Sequence, residues 1–182
     1  FLNAYIEMVS AITTTGATLF DDPERLNGPL HLWRAMVGWM GGLLMWIAAS
    51  AILAPLNLGG FEITARAKMA GREAIDTGMT APEVRVRLVK ASAALLPIYV
   101  GLTILLWILL VVGGDRSLVG LCHAMSVMAT SGISPVGGLG QNASGIAGEV
   151  LMLLFMLFAL SRLTFSTDTV TSDTRGLLRD PE

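Results

Sequence analysis

Two stretches of the chain carry no charged residue: Ala35 to Phe61, 27 residues, and Ala91 to Gly114, 24 residues. A helix that crosses a bilayer needs about 20 predominantly apolar residues. The two runs therefore predict spanning helices at 35–58 and 91–113. A third run, Ile146 to Ser161, is interrupted only by Glu149 and predicts a span at 146–163 with one end at the interface. Two further apolar segments are too short to cross. Tyr5 to Leu19 and Leu118 to Val136 each open on helix-compatible residues and then turn polar and glycine-containing. At about 1.5 Å per residue, helices of this size cover roughly half a bilayer. The pattern predicts re-entrant segments, whose non-helical backbone must lie against protein or water.

Composition favours the membrane setting. Of the 182 residues, 53% are hydrophobic and only 14% charged, against roughly a quarter charged in soluble domains. Mean hydropathy is +0.66 and the sequence pI is about 5.7. A disordered segment needs far more charge, and a nucleic-acid partner needs a basic surface. Cys122 is the single cysteine, which leaves no disulfide framework within the chain. Buried helices of a large soluble protein are the alternative, but charge-free runs of spanning length point to lipid. Nine of the twelve basic residues fall in two places: Arg66, Lys68, Arg72, Arg85, Arg87 and Lys90, then Arg162, Arg175 and Arg179. The positive-inside tendency assigns 62–90 and the tail to the cytoplasm, and the three spans then alternate in direction. The chain opens on Phe1 and is expected to be a piece of a longer polypeptide, beginning partway through a membrane unit.

The two short segments resemble each other at an offset of 116: SAITTTG at 10–16 aligns with SVMATSG at 126–132. Ser10 matches Ser126, Thr14 matches Thr130 and Gly16 matches Gly132, while Thr15 and Ser131 both offer hydroxyls. Symmetry-related repeats are common in transport proteins. A dehydrated monovalent cation needs several oxygens at close range, and backbone carbonyls supply them without a full negative charge. Glycine lets the backbone leave the helical region, the hydroxyls add acceptors, and the carbonyl-rich end of a short helix favours a cation.

These residues resemble the Trk/Ktr/HKT potassium transporter superfamily, most closely its bacterial Trk H-type translocating subunits. SAITTTGAT at 10–18 is similar to the first pore loop, and Trp33-Arg34 followed by GWMGG at 38–42 to the start of the next helix. AILAPL at 51–56 with Gly59 and Gly60 resembles that helix's exit, CHAMS at 122–126 the second pore helix, and DPE at 180–182 the approach to a third repeat. Gly38 stands where Gln is usual, the 62–90 loop is no close match, and ATSGI at 129–133 lacks an extra glycine that relatives often carry.

The resemblance implies an all-α membrane protein built of helix–pore loop–helix repeats with re-entrant, potassium-channel-like pore loops. Residues 1–61 would be a first repeat lacking its leading helix, with filter loop 13–18 and inner helix 35–58. Residues 62–90 would be a cytoplasmic basic loop. Residues 91–165 would be a complete second repeat: outer helix 91–113, pore helix 118–129, filter loop 129–135 and inner helix 146–163. Residues 166–182 would connect to repeats beyond Glu182. The selectivity filter is expected to hold potassium through the backbone of Thr14, Thr15, Gly16, Thr130, Ser131 and Gly132. In relatives a Ser at the position of Gly16 accompanies sodium preference, so Gly16 implies potassium. The family further implies uptake across a bacterial inner membrane, a homodimer and a cytoplasmic nucleotide-binding gating subunit of the Trk A type. Potassium is the substrate and no cofactor is expected. Channel-like permeation and coupled symport both stay open.

Other readings compete with the filter. Thr13 to Gly16 also suit a helix C-cap with hydroxyls bonded to the preceding turn. Ser126 and His123 lie three apart on a helix, the spacing for a nucleophile and base of a membrane enzyme. A non-conducting helical bundle would make 12–20 and 128–136 continuous helix. Cys122 and His123 lack the further ligands a metal site needs. Glu7 either adds negative potential near a pore or pairs locally, Gly38 and Gly42 suit a close helix contact, and Pro97 suits a kink.

Overall fold

The computed structural model describes residues 1–20, 22–50 and 81–160. Among them every regular element is helical: α1 (Leu2–Ile12), α2 (Gly28–Ala48), α3 (Ala81–Val112), α4 (Ser117–Ala129) and α5 (Gly145–Leu160), with single 3₁₀ turns at Pro23–Arg25 and Leu139–Gln141. The expected 51–58 end of the first inner helix, the 62–80 part of the basic loop, residues 161–163 and the 166–182 connector lie outside the described residues.

Two helices begin earlier than their charge-free runs. Expected from residue 35, α2 starts at Gly28 because Asn27 is extended and Pro29 stands in the first turn, where its fixed φ and missing N–H suit a helix start. His31 and Arg34 thereby enter the helix. Likewise α3 starts at Ala81, ten residues before the expected span, with Pro82 again in its first turn. Residues 81–90, expected as loop, are therefore helix. Absence of charge marks where lipid is tolerated; proline and its neighbour mark where the helix nucleates.

Leu88–Val112 of α3 has a mean hydropathy of 2.7 over its most apolar window and is long enough to cross a membrane. Pro97 lies inside it without ending the helix. Helices α1, α4 and α5 are apolar but shorter.

The core centres on α4. It packs against α2, α3 and α5, while α1 rests on α2. Tyr99, Leu106 and Leu110 of α3 meet Ala124, Val127 and Met128 of α4 and Met152, Phe155 and Ala159 of α5. Trp39 donates to Thr103 Oγ1 at 2.9 Å and stacks on Tyr99 with ring centroids 5.0 Å apart. Without a hydrophobic drive between helices in lipid, close approach at small residues and such hydrogen bonds hold a bundle. Glycines on α2 make that approach. A Cβ on Gly41 would overlap the Ile12 carbonyl at the end of α1, and one on Gly42 would sit 2.9 Å from Ala129 Cα at the end of α4. A Cβ on Gly38 would lie 3.0 Å from Ile133 Cδ1, so a Gln in its place would displace the Ile133 side chain. One stripe of α2 thus seats the C-terminal ends of both short helices.

Candidate functional site

Each short helix ends in the same way. After α1, Thr14 turns left-handed (φ 55°) and Gly16 has φ 73°; after α4, Thr130 has φ 53° and Gly132 φ 69°. The closing hydrogen bonds match at the offset of 116. Thr14 N–H donates to Ala11 O at 3.0 Å and Thr130 N–H to Val127 O at 3.1 Å. Thr15 N–H donates to Ser10 O at 3.0 Å and Ser131 N–H to Ser126 O at 2.9 Å. This is the paired pattern of a Schellman cap, which ordinarily places glycine at the left-handed residue. A β-branched residue there is an outlier that costs on the order of 1–3 kcal/mol, and such strain clusters at functional sites.

The C-cap reading of Thr13 to Gly16 thus describes real bonds: Thr13 Oγ1 donates to Val9 O at 2.7 Å. It leaves unexplained why a strained threonine recurs in both segments. The continuous helix of a plain bundle is absent, since α1 stops at Ile12 and α4 at Ala129.

The two loops touch. A Cβ on Gly16 would overlap the carbonyl oxygen of Ser131 and lie 3.8 Å from Gly132 C, whereas one on Gly132 would meet open space. Gly16, Ser131 and Gly132 are therefore adjacent. Thr15, Thr130 and Gly132 are exposed, Thr14 and Gly16 half-buried, and Ser131 buried with its hydroxyl donating to Ser126 Oγ at 3.4 Å. A cavity of about 220 Å³ opens between the loops, lined by Gly16, Thr18, His31, Arg34, Gly132 and Ser134 among others.

Residues beyond the expected filter hold the loops in place. Glu7, 3% exposed, accepts from Thr18 Oγ1 at 2.9 Å and from Leu19 N–H at 2.6 Å, and pairs with Arg34 Nη2 at 2.7 Å. Its role is local pairing, and it joins α1, the loop exit and α2. His123, fully buried, is hydrogen-bonded through Nε2 to Ser134 Oγ at 2.9 Å. Ser126 is also buried and its hydroxyl bonds to Ser131, so Ser126 and His123 form no nucleophile–base pair. No group of three or more His, Cys, Asp or Glu gathers among the described residues. Sequence reasoning missed the holding roles of Arg34, Thr18 and Ser134. Carrying the 116 offset outward would have paired Glu7 with His123 and Thr18 with Ser134.

Comparison with known proteins bears on this arrangement. No family model matches the chain. The Trk system potassium uptake protein TrkI of Halomonas elongata is 36% identical over 132 residues, covering 72% of this chain and 25% of its own length. TrkH of Vibrio parahaemolyticus is 29% identical over 162 residues, covering 89% of the chain and 32% of that protein. TrkG of Escherichia coli is 29% identical over 187 residues, spanning 100% of the chain and 36% of the relative. The chain belongs to the Trk potassium uptake family. It spans between a quarter and about a third of the length of these Trk relatives. They are named for potassium uptake and not for an enzymatic activity.

Proposed function

We propose that the chain contributes two loops to a cation-selective pore through which potassium enters the cell. The observation that carries the reading is the pair of left-handed threonines and positive-φ glycines, matched in backbone and lying against each other. Alternating the sign of φ at successive residues allows their carbonyls to face one side, where together they replace a cation's water shell. Thr14, Thr15 and Gly16 form one wall and Thr130, Ser131 and Gly132 the next. Two walls do not encircle an ion. Further loops of the same polypeptide complete the ring, as the share of each relative's length covered by the chain allows.

The re-entrant reading treats α1 and α4 as half-crossing pore helices and α2, α3 and α5 as crossings, in helix–pore loop–helix repeats of a multi-pass inner-membrane protein. Residues 62–90 and 166–182 lie on the cytoplasmic side, where a nucleotide-binding gating subunit docks, and the whole works as a homodimer. Transport needs no cofactor.

The test is rubidium and sodium uptake by the full-length protein carrying Gly16→Ser or Gly132→Ser. Both variants are expected to reduce rubidium uptake relative to sodium, Gly16→Ser by roughly tenfold or more, the equivalent of about 1.4 kcal/mol. Unchanged rate and ion preference in both would defeat the reading.

A further inference from the structure

The duplication extends past the glycines. Counting on by 116 from Glu7 gives His123, and from Thr18 gives Ser134. These residues are bonded in the same positions: Thr18 Oγ1 donates to Glu7 Oε1 at 2.9 Å, and His123 Nε2 is hydrogen-bonded to Ser134 Oγ at 2.9 Å, the Ser134 hydroxyl itself donating to Gly138 O at 3.1 Å. Two residues further on the match continues. Phe20 N–H donates to Thr18 Oγ1 at 3.2 Å, and Val136 N–H donates to Ser134 Oγ at 3.2 Å. In each copy a buried side chain on the short helix therefore reaches across the non-helical loop. It grips a hydroxyl that itself organises the loop's exit. The glycine lies between the helix end and this grip, so its backbone is held at both sides.

The chemistry of the two grips differs in a balanced way. Glu7 brings a negative charge into a buried place, and Arg34 on α2 neutralises it at 2.7 Å. The residue 116 positions beyond Arg34 is Val150, which is exposed on α5. The second copy uses an imidazole and has no arginine at that place. A buried carboxylate requires a counter-charge; an imidazole that can be neutral does not. Two different residue types thus deliver one geometry, which argues that the bond's position is what both copies share.

We infer that Glu7–Thr18 and His123–Ser134 are matched tethers, and that these four are positioning residues that set the placement of Gly16 and Gly132 and hence the discrimination between cations. The assignment rests on the filter reading of the two loops. Each tether acts through the backbone of its loop. Removing a hydroxyl frees the exit of one loop and lets its carbonyls relax toward a wider ring, which a carbonyl site built for a bare potassium ion tolerates poorly.

The experiment is competition between rubidium and sodium uptake in the full-length protein, with the amount in the membrane measured alongside. Thr18→Val and Ser134→Ala keep the side-chain volume nearly constant and delete the tether together with the hydroxyl's bonds to the loop backbone. Each is expected to lower the rubidium-over-sodium ratio by roughly fivefold or more, the net worth of at least one hydrogen bond. Thr18→Ser and Ser134→Thr keep the hydroxyl and are expected to retain the wild-type ratio. Gly16→Ser and Gly132→Ser are run beside them. If the glycine variants shift the ratio and both hydroxyl deletions leave it unchanged, the tethers are overturned while the filter stands. If neither set shifts it, the filter reading itself fails and the tethers with it. If the deletions only reduce the amount in the membrane, at unchanged ratio per molecule, the bonds serve folding alone and the assignment is overturned.

Discussion

Helices α1 and α4 end in the same backbone turn, yet they sit in opposite surroundings. Eight of the thirteen residues of α4 are buried, among them Cys122, His123, Ser126 and Met128. Only Glu7, Ser10 and Ala11 of α1 are buried, while Tyr5, Ile6, Val9 and Ile12 face outward. The means of holding the loops follow from this. The first loop is tied by polar bonds: Ser10 Oγ donates to Ala17 O at 2.6 Å, the hydroxyls of Thr13 and Thr15 lie 2.9 Å apart, and Glu7 grips Thr18 and Leu19. The second is also tied by polar bonds, Ser134 Oγ being bonded to His123, Val136 and Gly138, but it is wedged by packing as well. Ala129 seats on Gly42, Ile133 fills the space beside Gly38, and Ser131 is enclosed. One backbone geometry is thus held by hydrogen bonds in both loops, with an ion pair added where the loop is exposed and close packing added where it is enclosed. The shape is common to both; the forces are local.

The contrast leads to graded expectations. The largest concerns the ion pair. Glu7→Ala leaves the buried Arg34 guanidinium without its partner, which is expected to cost about 3–5 kcal/mol. His123→Ala removes the bond to Ser134 without breaking an ion pair and is expected to cost about 1–3 kcal/mol. Thermal unfolding of the full-length protein in detergent checks the order; a larger loss for His123→Ala would show that the ion pair is not what sets the first loop apart.

Next come the glycines. Both have positive φ, so alanine at either carries a penalty of roughly 1–2 kcal/mol. At Gly16 the added methyl also overlaps the Ser131 carbonyl, while at Gly132 it meets open space. Gly16→Ala is therefore expected to be the more damaging of the two, both in unfolding temperature and in rubidium uptake. Equal effects would show that the loops do not press on each other.

The smallest effect is expected at Thr13. It is exposed and its hydroxyl bonds back to Val9 O. Thr13→Ala should lower stability by about 0.5–1.5 kcal/mol, the net worth of an ordinary hydrogen bond. The alanine already present at the equivalent position, Ala129, shows that this hydroxyl is not required for the turn itself.

Part of this arrangement is legible in the sequence. The duplicated SxxxTxG pattern points to Thr14, Gly16, Thr130 and Gly132, and the two half-length helices are visible as apolar segments too short to span. Helix starts are not legible in the same way, because the absence of charge says nothing about where a helix nucleates. Arg34 looks like a boundary, yet it lies within α2 because a carboxylate from another helix neutralises it. Thr18 and Ser134 escape notice for a related reason. A hydroxyl in a loop has no periodicity to mark it, and its partner lies eleven positions back on a helix.

By itself the sequence determined which segments are greasy enough for lipid, which fall short of crossing it, and that two of them share one residue pattern. Those properties are additive along the chain: hydropathy sums over neighbours and repetition needs only an offset. The tertiary structure alone decided that Gly16 lies against Ser131, that the α2 glycines seat both helix ends, and that Glu7 answers to Arg34. Contacts between residues far apart in the chain depend on how backbones pack, where a single Cβ is enough to forbid the approach.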